Sequence, residues 1–147
     1  MVAELPHEGV YVRLGPSEVH GIGVIAIRPI PKGTSLFPND PAPIRWVAVD
    51  ALARAGLSEA ERRFYEDFGI RRNGEIGCPS NFNLLTPSWY LNEPAESAEA
   101  NVRSAPDFTF YAARDIEAGE ELLIDYASFS EAAREGARED GSHGGAR

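Results

Sequence analysis

Short apolar runs that stop at glycine or proline are the feature of this sequence that most limits its fold. Residues 10–14 alternate in the manner of a β-strand and are followed by a Gly-Pro pair. The run GIGVIAIRPIPKGTSLF, residues 21–37, predicts a strand, a turn over residues 29–33 and a second strand from about Thr34. We therefore predict a core of short β-strands.

The middle of the chain predicts helices instead. Asp50 is expected to cap a short helix that ends at Gly56. Ser58 and Glu61 form a capping box that opens a second helix, which is expected to end at Gly69. Apolar residues at helical spacing predict the buried stripe of this second helix. They are Leu57, Ala60, Phe64 and Phe68.

Strand signals return after this helical part. Asn73 and Gly74 both tolerate positive φ, so they predict a tight hairpin turn. Residues 101–104, 107–113 and 121–125 predict three further strands. The sequence therefore describes a mainly β fold with a small helical insertion.

Composition and charge bound the class of protein. At 147 residues, with 43% hydrophobic and 25% charged, the chain predicts one globular domain. The net charge of −9 disfavours direct binding to nucleic-acid phosphates and indicates a basic partner. No apolar run approaches the length that spans a bilayer, and the N-terminus lacks the pattern of a signal peptide. We expect a cytoplasmic protein that binds neither nucleic acid nor membrane directly.

Cys78 is the single cysteine of the sequence. It cannot form an internal disulfide, and a zinc cluster of cysteine ligands is excluded with it. Because no histidine is nearby in sequence, we expect a small buried apolar residue rather than a catalytic thiol. No metal site is predicted.

Three separated motifs carry the functional signal: HGIGVIA at residues 20–26, WYLNEPAESAEANV at 89–102 and ARDIEAGEELLIDYASF at 113–129. In order and spacing they resemble the SET-domain protein lysine methyltransferases. The resemblance implies a SET-like (β-clip) arrangement of short strands in several small sheets.

The resemblance also implies domain limits. The SET-like domain is expected over residues 10–129, with a variable insertion at about 38–86. Residues 1–9 would be an N-terminal extension. Residues 130–147 are rich in Ala, Arg, Glu, Gly and Ser, which predicts a polar, disordered tail with at most one helix.

S-adenosylmethionine is the cofactor that the resemblance implies. Gly21 and Gly23 would let the main chain approach its methionine end, since a Cβ would block the approach. Ile22 would contribute main-chain groups, and Asn92 matches a family asparagine that lies beside the methionine part. From the residues alone, the glycines are equally consistent with a tight turn at the start of a strand.

The chain departs from the family pattern directly after Asn92. Glu93 stands where the family usually has histidine, whose main-chain groups pair with the adenine edge, so we expect Glu93 to act through its backbone. Pro94 has no N–H and must stand where no donor is required. Asn101 matches a second family asparagine, although Ala100 replaces the proline expected before it.

The resemblance implies that Tyr126 is the catalytic residue and also contacts the cofactor. Its phenol oxygen can hold the polarised methyl group by C–H···O contacts and orient the attacking amine, which must first lose its proton. The aromatic residues that could line a lysine channel are Tyr65, Tyr90, Tyr111 and Phe129. Each of them alone is also consistent with core packing. No cysteine-rich zinc segment follows the last motif, so Phe129 and its neighbours are expected to close the channel.

Three functions remain open at this stage. The first is S-adenosylmethionine-dependent methyl transfer to the side-chain amine of lysine in a basic protein or peptide, which the acidic balance of the chain would help to recruit. The second is a catalytically weak or inactive SET-like module that binds the cofactor or a lysine-rich segment. The third is a β-rich interaction protein that shares only ancestry with the family.

Overall fold

The computed structural model describes residues 5–40 and 44–130. Its elements are β1 (Val12–Pro16), β2 (Ile22–Ala26), β3 (Ile44–Ala48), α1 (Val49–Arg54), α2 (Glu59–Phe68), β4 (Ile70–Arg72), β5 (Glu75–Pro79), β6 (Val102–Ser104), β7 (Phe110–Ala112) and β8 (Glu121–Leu122). The strands form small antiparallel sheets in the orders β1-β2-β8, β3-β5-β4 and β6-β7. The predicted fold class, mainly β with few helices and several small sheets, is confirmed.

The hairpin between β4 and β5 confirms the predicted turn at Asn73 and Gly74. Arg72 pairs with Glu75 across the turn. The φ angles are 52° at Asn73 and 77° at Gly74, so both residues adopt the left-handed conformation that a two-residue hairpin requires.

The two helices begin differently from one another. Ser58 accepts a hydrogen bond from the Glu61 N–H, and the Glu61 carboxylate accepts one from the Ser58 N–H, so the predicted capping box is confirmed. The predicted cap of α1 is wrong, because the helix begins at Val49 after Ala48, which has no side-chain acceptor. Asp50 lies in the first turn, where its negative charge still favours the positive end of the helix.

The predicted buried stripe of α2 is wrong. No residue of α2 is buried, and Phe64 is 44% exposed. Phe64 and Tyr65 pack on Phe82, with ring centroids 4.8 and 5.0 Å away, instead of on a sheet. Phe68, at the end of the helix, does pack against the main core. The helix therefore stays at the surface because its aromatic residues form a small cluster of their own.

Three predicted strands are shorter than the sequence indicates. The strand predicted over residues 107–113 spans Phe110–Ala112, because residues 105–108 form a turn. Near Thr34 the chain makes a single bridge, Ser35 with Tyr111, and Pro38, which has no N–H, soon follows. The last strand ends at Leu122 instead of residue 125.

Residues beyond β8 leave their sheet because they pass between two other segments. Leu123 forms a parallel bridge with Asn92, and Ile124 forms one with Val102. The Ile124 N–H donates to the Asn92 carbonyl at 2.9 Å, and the Leu123 carbonyl accepts from the N–H groups of Asn101 and Val102 at 3.0 and 3.1 Å. This crossing brings the last motif between the two ends of the middle motif.

The Asn101 side chain fixes the crossing from inside. It is 1% exposed. Its Nδ2 donates to the Glu121 carbonyl at 2.9 Å, and its Oδ1 accepts from the Leu123 N–H at 2.7 Å. Nδ2 also lies 3.3 Å from the carboxylate of Glu120, which Arg114 binds at 2.6 Å. Burial raises the pKa of Glu120, but its hydrogen bonds, led by that from Arg114, lower it by more.

Cys78 lies in β5 and is 3% exposed, which confirms the expectation of a small buried residue. Its thiol donates to the Arg45 carbonyl at 3.4 Å. Burial raises the pKa of this thiol, so the unreactive protonated form is favoured. Within residues 5–40 and 44–130, no three His, Cys, Asp or Glu side chains converge as metal ligands.

Some predictions at the chain ends fall outside the described residues. The predicted polar helix and tail lie there from residue 131 onward, and so do the first four residues of the predicted N-terminal extension. The limits set for the domain and its insertion stay predictions. In the described part of the chain, no helix combines the length and the apolar character needed to cross a membrane.

We expect Asn101→Ala to lower the free energy of unfolding by about 2–5 kcal/mol, because the Glu121 carbonyl and the Leu123 N–H both lose a buried partner. Urea denaturation followed by circular dichroism measures the change. Asn83→Ala is the control, since Asn83 is exposed and should change stability little. Equal stability of the two variants would contradict the assigned role of Asn101.

Candidate functional site

Ser17 organises the turn that leads into β2. Its hydroxyl oxygen accepts hydrogen bonds from the N–H groups of Val19 and His20 at 2.9 and 3.0 Å. The same hydroxyl donates to the Glu121 carboxylate at 2.8 Å. The Ser17 N–H donates to the Gly21 carbonyl at 2.8 Å, which closes the turn. Gly21, with φ of 53°, provides the left-handed conformation that the turn needs.

The side chain of Asn92 holds this turn from the opposite side. Asn92 is 2% exposed, and its main chain belongs to the crossing described above. Four acceptors surround its Nδ2: the carbonyls of His20 and Ile22 at 2.9 and 3.2 Å, the Ser17 hydroxyl at 3.2 Å and the Glu121 carboxylate at 3.1 Å. The first and second motifs are therefore joined through one buried amide.

Gly21 and Gly23 are glycine for different structural reasons. A Cβ at Gly23 would collide with the Glu121 carboxylate and lie 3.0 Å from the Cβ of Ser17, so the protein's own packing already requires glycine there. The predicted role of Gly23 toward the cofactor stays a prediction. A Cβ at Gly21 would meet no atom within 4 Å, so the space beside Gly21 is open. Ile22, between them, is 53% exposed. A ligand can therefore approach the turn at Gly21 and Ile22.

Tyr126 begins a single 3₁₀ turn, Tyr126–Ser128, whose N-cap is Asp125. The tyrosine is 8% exposed, and its hydroxyl donates to the Leu91 carbonyl at 2.8 Å. Its ring packs edge-to-face on Phe129, with centroids 6.1 Å apart. The hydroxyl is thus fixed inside the protein, and its acceptor, Leu91, directly precedes Asn92 in the chain.

Glu93 has a side-chain role that the sequence did not indicate. Its Oε2 accepts a hydrogen bond from the Tyr126 N–H at 2.8 Å. The expected action through the backbone stays a prediction, but the carboxylate itself positions the start of the Tyr126 turn. Pro94, which follows, is buried.

A cavity of about 590 Å³ lies beside Leu91. Leu91 and Phe129 border it, and both also contact Tyr126. The charged residues among its described lining are Asp40 and Asp107. Six further aromatic residues line it, together with small polar and aliphatic ones: Phe37, Trp46, Phe68, Trp89, Phe108 and Phe110. The cavity is therefore suited to an extended ligand with apolar and cationic groups.

The four aromatic residues predicted to line a substrate channel are not gathered in one place. Phe129 borders the cavity. Tyr65 lies in the surface cluster of α2, and Tyr90 packs edge-to-face on another ring 5.4 Å away. Tyr111 lies under the guanidinium of Arg103, 4.7 Å from it. A role of these residues in substrate binding stays a prediction.

Ser17 and Glu121 are site residues that the sequence analysis did not single out. Glu121 belongs to the GEEL part of the third motif, but the sequence does not indicate that its side chain reaches Ser17 and Asn92. Ser17 precedes the first motif and carries no signal of its own. Their contacts become apparent only when β2 pairs with β8, at Val24 with Leu122 and Ile25 with Glu121.

Comparison with protein families and curated proteins gives one match. The family model of the SET domain matches residues 21–127, which contain nearly all of the three motifs. A search of the curated proteins found no match.

Solved structures give related folds. The methyltransferase domain of human PR domain-containing protein 2 superposes with a TM-score of 0.51 at 25% identity, covering 82% of this chain and 78% of that chain. The protein described as ctPRC2 in an autoinhibited conformation bound to S-adenosylmethionine gives 0.57 at 21% identity, covering 89% and 17%. A humanized mutant of the Chaetomium thermophilum Polycomb Repressive Complex 2 gives 0.55 at 22%, covering 85% and 16%. This chain spans a small part of the last two, and the likeness to them is one of fold.

We expect Glu93→Ala to loosen the Tyr126 turn more than Glu93→Gln does, because glutamine keeps an oxygen that can accept the Tyr126 N–H. The alanine variant should lose about 1–3 kcal/mol of stability and show faster hydrogen exchange at the Tyr126 amide by NMR. Glu99→Ala, an exposed neighbour, is the control. If the glutamine variant were as damaged as the alanine variant, the negative charge rather than the hydrogen bond would be the important property.

Proposed function

This chain belongs to the SET-domain family, and from that premise we propose that it catalyses S-adenosylmethionine-dependent methyl transfer to the side-chain amine of lysine in a basic protein or peptide. The family match supports methyl transfer in general. The likeness to a methyltransferase domain at 25% identity supports the same class of reaction. The choice of lysine and of a basic substrate belongs to the proposal.

One observation carries the proposal. The buried Tyr126 hydroxyl donates to the carbonyl of Leu91, a residue that borders the cavity, while the next residue, Asn92, binds the turn at Gly21. A donor site at the turn and an acceptor site in the cavity would therefore meet near one fixed phenol. In-line transfer between two bound molecules needs this two-sided arrangement.

The residues at the turn fit the cofactor. When bound, S-adenosylmethionine supplies a methyl group on a sulfonium, which an amine can displace. Gly21 and Ile22 would offer main-chain groups from an open surface. Asn92 holds the Ile22 carbonyl, and the Ser17 N–H holds the Gly21 carbonyl. The Glu121 carboxylate, held by Ser17, adds negative charge that suits a cationic ligand.

Tyr126 would orient the amine on the acceptor side. Since its proton is donated to the Leu91 carbonyl, the phenol oxygen acts as an acceptor toward an amine N–H or a polarised methyl group. The aromatic wall beside it, including Phe129, excludes water and so favours the neutral amine, which is the form that attacks. Positioning and desolvation are the contributions of this chain to the rate.

Charge and location complete the proposal. The net charge of −9 would attract a basic substrate and raise the rate of encounter at low salt. Cytoplasmic residence, expected from the sequence, is part of the same proposal.

We expect Asn92→Ala to weaken binding of S-adenosylmethionine by roughly 5- to 150-fold, because the carbonyls of His20 and Ile22 lose the donor that shapes the turn. Isothermal titration calorimetry measures the dissociation constant. Circular dichroism first establishes that the variant is folded at the temperature used, and Asn83→Ala is again the control. An unchanged dissociation constant for Asn92→Ala would place the cofactor elsewhere.

We expect Tyr126→Phe to reduce methyl transfer by roughly a hundredfold or more while cofactor affinity stays within a few-fold of wild type. The ring and its packing on Phe129 are retained, but the Leu91 carbonyl loses its donor, which should cost about 1 kcal/mol of stability. Transfer of a labelled methyl group to basic proteins is the measurement. Tyr11→Phe is the matched control, because it removes a tyrosine hydroxyl outside the site and keeps the ring that lies under Arg28.

The same experiment separates the alternatives. Full activity of Tyr126→Phe would remove Tyr126 from the chemistry. Cofactor binding without transfer to any basic protein, by wild type and variant alike, would favour the catalytically inactive binding module. Absence of cofactor binding in the wild type would favour the interaction protein.

A further inference from the structure

The loop between β6 and β7 places a bulky residue in a strained conformation. Phe108 has φ of 66°, a region that bulky side chains rarely adopt. Its N–H donates to the Ala105 carbonyl at 2.9 Å, so it follows a β-turn with Pro106 and Asp107 at the centre. Glycine is the favoured residue at this position of such a turn. The hairpin itself therefore gives no reason for phenylalanine.

The ring of Phe108 explains why phenylalanine is present. It packs against Trp46 with centroids 5.9 Å apart, and the Arg72 guanidinium lies 4.5 Å from its centre on the insertion side. Phe108 and Trp46 both border the cavity. The ring thus forms a wall between the β6–β7 hairpin and the helical insertion, which no glycine could supply.

Two carboxylates, those of Asp40 and Asp107, border the cavity together with Trp46 and Phe108. Asp40 accepts hydrogen bonds from the hydroxyls of Thr86 and Ser88, each at 2.9 Å. Asp107 is exposed and accepts from the Thr109 N–H at 3.0 Å, a bond that, with the Thr109 hydroxyl, lowers the pKa of Asp107. Both carboxylates are held by neighbours. No lysine or arginine is among the described residues that border the cavity, and Arg72, the cation described at this end, lies over the Phe108 ring.

We propose that this end of the cavity, formed by Asp40, Trp46, Asp107 and Phe108, docks the basic segment that flanks the target lysine, and that Phe108 is the residue that determines the fit. The inference rests on the proposed function. Charge complementarity selects the occupant: arginine and lysine side chains combine an alkyl stem for the aromatic wall with a cation for the carboxylates. The cavity extends from here to Leu91 and Phe129, so a peptide docked at this end could place a neighbouring lysine near Tyr126.

Phe108→Gly is the main test. Glycine adopts the left-handed conformation without strain, so the melting temperature should stay within about 5 °C of wild type, whereas binding of a basic peptide should weaken roughly tenfold or more. The probe is a fluorescein-labelled synthetic peptide with one lysine flanked by arginines, followed by fluorescence anisotropy in the absence of cofactor. In a transfer assay with the same peptide, the effect should fall mainly on KM rather than on kcat.

Matched controls separate docking from folding and from general charge. Asn73→Gly makes the same kind of substitution at a left-handed residue, with φ of 52°, away from the cavity, and should bind the peptide like wild type. Asp107→Asn keeps the acceptor for the Thr109 N–H but loses the charge, so affinity should fall about two- to fivefold at low salt. Glu66→Gln removes one charge from the exposed side of α2 and should have no such effect.

Each outcome decides the proposal. Wild-type affinity in Phe108→Gly, or equal binding of a peptide whose arginines are replaced by glutamines, overturns it. If Phe108→Gly fails to fold, an unchanged affinity in Asp107→Asn overturns it instead. Self-association that Phe108→Gly abolishes, without peptide binding, assigns the surface to a second copy. Failure of the wild type to bind the peptide, together with methyl transfer to other basic proteins, overturns the docking site and leaves the proposed function standing.

Discussion

The crossing of the last motif between the two ends of the middle motif is the constraint on which the rest of the structure depends. Asn101 holds one side with its buried side chain, and Asn92 holds the other through its backbone. A buried amide group left without a hydrogen-bond partner destabilises the protein by more than a formed hydrogen bond stabilises it. Two asparagines in an apolar interior therefore specify one arrangement of these segments. Leucine or valine at either position would pack, but would not fix which segment lies beside which.

This crossing determines the geometry of the candidate site. Asn92 reaches the Gly21 turn with its side chain, and the carbonyl of the preceding Leu91 receives the Tyr126 hydroxyl. The Glu93 carboxylate then accepts the Tyr126 N–H, so three consecutive residues position both ends of one tyrosine and the turn at Gly21. A shift at the crossing would move all of these groups together, which is why stability and activity are expected to respond to the same substitutions here.

The sequence predicted correctly those elements that depend on residues close together in the chain. The Asn73-Gly74 turn and the Ser58 capping box depend on residues a few positions apart, and both are confirmed. The stripe of α2 failed because helical spacing shows which residues share a face, but not what the face meets; Phe64 met Phe82 instead of a sheet. The Glu93 carboxylate was missed for a related reason, since its partner, Tyr126, lies 33 residues away in sequence.

Residues at the end of the described chain join Tyr126 to the cavity wall and to the helical insertion. Phe129 packs edge-to-face on both Tyr126 and Phe110, with centroids 6.1 and 5.8 Å away, and borders the cavity. Ser130 is buried, and its hydroxyl oxygen accepts the Arg71 N–H of β4 at 3.1 Å. This bond joins the end of the last motif to the helical insertion. The wall beside Tyr126 is thus held by aromatic contacts and by one polar contact to the insertion.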